Sequence, residues 1–71
     1  SDQANKLSVD ANELSFNAAQ KKYNVGALST FDYNSVKTRL QAAQGNLIQA
    51  KYDYVFKLKV LDYYQGKAIT F

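Results

Sequence analysis

Cysteine, histidine, methionine, tryptophan and proline are all absent from this chain, and glycine occurs three times. Without cysteine there is no disulfide and no thiolate; without histidine there is no imidazole for metal ligation or for proton transfer near neutral pH. The usual reactive inventory is nearly empty. The chain therefore reads as a binding or structural segment and not an enzyme, with no cofactor and no metal site expected. A cysteine-free composition fits an oxidising compartment without requiring one. Apolar runs are also short, well below the ~20 residues that span a bilayer, so no part of the segment is expected to insert into a membrane. The chain opens on the polar run Ser1, Asp2, Gln3, with no secretory signal visible, as a mature or excised segment would.

What remains is rich in apolar and aromatic side chains, 46% and 14% of the 71 residues. That is too apolar for a disordered tail, and the length allows one domain or a fragment of one. Net charge is +3. Between Glu13 and Asp53 the lone acid is Asp32, whereas Lys21, Lys22, Lys37, Arg39 and Lys51 all fall in that stretch. The plain reading is a solvated helix face. Nucleic-acid binding calls for denser clustering and is not expected.

With no proline, breaks in structure are sought at Gly26, Gly45 and Gly66. Before Gly26, the positions Ala4, Leu7, Ala11, Leu14, Ala18, Lys21 and Val25 step by three and four, a heptad seam. After it, Val36, Leu40, Ala43, Leu47, Ala50, Tyr54, Lys57, Leu61 and Tyr64 repeat that rhythm. The fold class predicted is all-α: an antiparallel two-helix coiled-coil hairpin with helices over about residues 3–24 and 30–65, joined by a turn over about 25–29. At 1.5 Å per residue the second helix, ~54 Å, outruns the first, ~33 Å.

The turn carries capping chemistry. Gly26 suits the left-handed conformation that closes a helix, with Lys21 and Lys22 near the negative pole of its dipole. Ser29 has the type and place of an N-cap, Asp32 completes an S-x-x-D capping box, and Leu28 with Tyr33 would form a hydrophobic staple. Folded at this tip, Leu14 is predicted near Ala43 and Leu7 near Ala50, so everything past Tyr54 overhangs.

Each helix also carries a second apolar line. In the first, Val9, Phe16 and Tyr23 recur every seven residues, with Ala19 between the last two; in the second, Ala42, Gly45, Tyr52, Phe56 and Tyr63 run beside the main seam, widened by Ile48, Val55 and Leu58. A free hairpin needs one stripe per helix. Two stripes suit either a wide face in an ordinary helical bundle or a wall of helices with a neighbour on each flank. The apolar overhang points to a longer natural chain or to self-association.

The stretch from Phe16 to Gly66 resembles the TolC-type outer-membrane efflux protein family, in the second of its two periplasmic coiled-coil hairpins. Tyr23, Val25 and Gly26 match a Y-x-V-G tip, Asp32 stands six residues after the glycine, and Ala50, Lys51, Tyr52, Asp53 and Tyr54 are similar to an A-[RK]-Y-[DN]-Y signature. Gln44, Asn46, Leu47 and Gln49 fit the polar, leucine-punctuated helix between them. The resemblance implies an excised hairpin from the periplasmic part of a Gram-negative outer-membrane channel, trimeric when full-length. Its helices would form an α-barrel tunnel. The tip, Val25, Gly26, Ala27, Leu28 and Ser29, would dock the periplasmic adaptor (membrane fusion) protein of a tripartite pump. Tyr23 and Asp32 match positions of a closed-state contact and an entrance constriction. Asp32 is equally explained by the capping box, and Tyr23 by packing at the turn. Ser35 and Leu28 replace an aspartate and an arginine found in some members, so neither a strong acidic ring nor an arginine latch is expected. The alternative is a coiled-coil interaction module that associates with itself, as a dimer or larger, and has no transport role.

Overall fold

The computed structural model describes the backbone of residues 2–69 and the side chains of residues 3–65. Two helices, α1 (Asp2–Asn24) and α2 (Thr30–Ile69), pack against each other as an antiparallel hairpin, and the molecule extends 68 Å along its longest axis. No strand occurs among the described residues. The helix α2 continues through Gly66 to Ile69 instead of stopping near Gln65. A lone glycine lowers helix stability by only about 1 kcal/mol relative to alanine and keeps its N–H for the ladder, so it weakens a helix without ending one.

The face that α1 turns toward α2 differs from the predicted one. Val9 and Ala19 are buried, Asn5, Asn12 and Phe16 are half-buried, and these positions form the heptad line that ends at Tyr23. By contrast Leu7 and Leu14, in the seam first expected to face α2, are 62% and 73% exposed. The reason is steric and lies at the tip. Tyr33, the fourth residue of α2, inserts its ring between Phe16 and Tyr23, with centroids at 5.6 Å and 4.4 Å. Two aromatic residues spaced by seven bracket a third from the opposite helix, and this knob fixes the rotation of α1 against a pull from two leucines. Asn12 is tolerated on the inner face because its side-chain N–H donates to the Ser8 carbonyl at 2.8 Å.

The α2 seam follows the expected positions as far as Ala50, beyond which Tyr54, Lys57, Leu61 and Tyr64 are exposed. Ala43 is buried, and Tyr33, Val36, Leu40, Leu47 and Ala50 are half-buried. The register is tighter than expected, however. Gln3 and Lys6 share a surface depression with Leu47 and Lys51, so Leu7 lies level with Leu47 and not with Ala50, and it points outward. The unpaired part of α2 therefore begins just past Lys51. No helix among the described residues is long and apolar enough to cross a membrane.

Candidate docking tip

The turn is built by two interlocking caps. Gly26 adopts φ +76°, the sole positive φ among the described residues. Its N–H donates to the Tyr23 carbonyl at 3.1 Å and the Ala27 N–H donates to the Lys22 carbonyl at 2.8 Å, which together form a Schellman closure. Two carbonyls at the end of α1 are thereby satisfied. A Cβ at Gly26 would meet no atom within 4 Å, so the demand for glycine comes from backbone conformation and not from crowding.

Ser29 opens α2. Its Oγ accepts from the Asp32 N–H at 3.1 Å, and its carbonyl accepts from the Tyr33 N–H at 2.9 Å. The return half of the capping box, in which the Ser29 N–H would donate to the Asp32 carboxylate, is not formed. The Asp32 carboxylate stays exposed in the first turn of α2, where the positive pole of the helix favours it; Lys21 and Lys22 occupy the matching place in the last turn of α1.

Tyr23 ties the caps together. Its ring stacks on Tyr33 at an interplanar angle of 14°, and its hydroxyl lies 3.2 Å from Thr30 Oγ1. Leu28 and Tyr33, the pair expected to form a staple, are both half-buried. Tyr23 thus has the packing role that the sequence left open. Val25, Gly26, Ala27 and Ser29 are exposed, which makes the tip a rigid turn with a bare backbone and one protruding aliphatic side chain.

Phe31 was not among the expected site residues, yet it is 81% exposed next to the turn, more than Val25 at 79%. The signal was its place two residues before Tyr33, which sends the two rings to different faces of α2. With Asn34, Ser35, Thr38 and Arg39 it borders a shallow depression on the side of α2 away from α1. The cations of the basic middle, Lys21, Lys22, Lys37, Arg39 and Lys51, are all exposed. No protein-family model, no curated protein and no solved structure matches the chain.

Proposed function

We propose that this hairpin is the periplasmic tip of a trimeric outer-membrane efflux channel, contributing two helices to the tunnel wall and docking the adaptor protein of a tripartite pump. The observation that carries this reading is that each helix bears an apolar stripe on the side away from its hairpin partner. On α1 the stripe is Leu7, Ala11, Leu14 and Ala18; on α2 it includes Tyr52, Phe56 and Tyr63. Helices in a tubular wall have a neighbour on each flank, which gives both stripes a use. The Y-x-V-G turn, Asp32 and the A-K-Y-D-Y run at their spacings add to it.

In this role the Schellman turn offers a bare backbone at Gly26 to the tip of the adaptor, with Val25 and Phe31 supplying apolar contact. Asp32, held in the first turn of α2 with its carboxylate free, would face the entrance. The test is recovery of the matching adaptor hairpin by the full-length channel, wild type against Gly26→Val, with both channels shown to be folded trimers. Loss of recovery in the variant supports the tip as the docking surface; equal recovery contradicts it. The second reading, a self-associating module without transport function, rests on the same outward stripes.

A further inference from the structure

The outward stripe of α2 is graded in size. Stepping by three and four from the tip, it runs Phe31, Ser35, Thr38, Ala42, Gly45, Gln49, Tyr52, Phe56, Lys59 and Tyr63. Past Phe31 it is small as far as Gly45, and its bulk gathers from Tyr52 onward. All of these are exposed except half-buried Ser35, and Tyr52, Phe56 and Tyr63 are 69%, 69% and 65% exposed. Gly45 sits in the interior of α2, where glycine weakens a helix relative to alanine. Nothing in the hairpin explains it, because a Cβ there would meet no atom within 4 Å. A mid-helix glycine with open space above it is suited to close approach by something outside the hairpin.

We infer that this stripe is an interface with a second copy of the chain, the two α2 helices packing antiparallel about a two-fold axis between Ala50 and Lys51. In that register Gly45 receives Phe56 of the second copy, Thr38 receives Tyr63 and Ala42 receives Lys59, small against large in each, while Gln49 lies beside Tyr52 near the axis. Ile48 and Val55 pair across the flank, twice by symmetry. Asp53 falls opposite Asn46 and Asp62 opposite Gln41, so like charges are not set against each other. Moving the register by one heptad toward the C-terminus sets Asp53 against Asp53, which disfavours it. The face is opposite the one covered by α1, so neither hairpin has to open.

Three aromatic side chains of ~150–250 Å² each, two-thirds exposed, offer about 300–500 Å², and with Ile48, Val55 and the small residues they cover this comes near the lower end, ~600 Å² per partner, of a stable interface. The channel reading gives this same stripe to wall neighbours, so the inference rests on the second reading, the self-associating module, and a dimer in this register favours that module over the channel.

The test is sedimentation equilibrium of the 71-residue chain, wild type, Gly45→Leu and Gly45→Leu/Phe56→Ala. Leucine is a better helix former than glycine and has open space in the hairpin, so Gly45→Leu melts higher than wild type at concentrations where both are monomeric. It also dimerises at least ~10-fold more weakly, because the new side chain occupies the place of Phe56. The double variant exchanges large for small and recovers most of the affinity. In this cysteine-free chain, a mixture of Ile48→Cys and Val55→Cys proteins oxidises mainly to the mixed dimer. A monomer at millimolar concentration, a trimer, equal dimerisation by Gly45→Leu, or random cross-linking would each overturn the inference. Tip variants such as Gly26→Val leave dimerisation unchanged, which separates this test from that of adaptor docking.

Discussion

Replacing Tyr33 by alanine removes a ring that packs against both Phe16 and Tyr23 of α1. Its ring lies 4.4 Å from Tyr23 and 5.6 Å from Phe16. Each such pair contributes about 0.5–1.5 kcal/mol beyond burial. Adding the transfer term for a half-buried ring, the expected loss is about 2–3 kcal/mol. That is large for this molecule. At about 0.05–0.15 kcal/mol per residue a chain of this size has about 4–11 kcal/mol of stability, and among the described residues the buried apolar core is Val9, Ala19 and Ala43. Urea unfolding followed by helical circular dichroism, at concentrations where the chain is monomeric, measures the loss. A cycle of Tyr23→Ala, Tyr33→Ala and the double variant should return a coupling of about 0.5–1.5 kcal/mol. The reasoning fails if the coupling is near zero, or if Tyr33→Ala costs no more than Tyr54→Ala on the unpaired part of α2.

Phe16→Ala is expected to destabilise the monomeric hairpin clearly, whereas Leu14→Ala shifts it by no more than about 0.5 kcal/mol, the ordinary range for a surface change; the same unfolding assay ranks the two. Ser29→Ala removes the Oγ that accepts the Asp32 N–H, a loss of about 1 kcal/mol, and Ser29→Asp retains most of the cap. Gly26→Ala, at φ +76°, costs about 1–2 kcal/mol through backbone conformation alone; a stabilised Gly26→Ala protein would show that the turn had changed type.

The hairpin, its turn and the first half of the α2 seam were legible in the sequence because the signals agree there: one helical break, a serine cap, and a 3-4 rhythm from Val36 to Ala50 whose positions α2 turns toward α1. The inner face of α1 was not. Two stripes compete in that helix, and counting aliphatic bulk favours Leu7 and Leu14 over a line that contains Asn5 and Asn12. The deciding contact is long-range, Tyr33 seated between Phe16 and Tyr23, and it outweighs local periodicity. Tyr23 carried a clue. Three residues before a Schellman glycine and seven before Thr30, it is placed to reach across the turn, and that fixes which side of α1 faces inward. The register followed from the same error, since pairing Leu7 with Ala50 presumed that the leucines point inward. Phe31 was passed over because the second line of α2 was read from Ala42 onward, although steps of four, three and four lead back from there through Thr38 and Ser35 to Phe31.

Reading the complete reading frame that encodes this segment tests the functional proposal most directly. The account expects a secretory signal, a second homologous hairpin upstream and two pairs of alternating strands able to close a β-barrel. A frame that encodes the hairpin with none of these would contradict it, and would leave the self-associating module as the function of the chain.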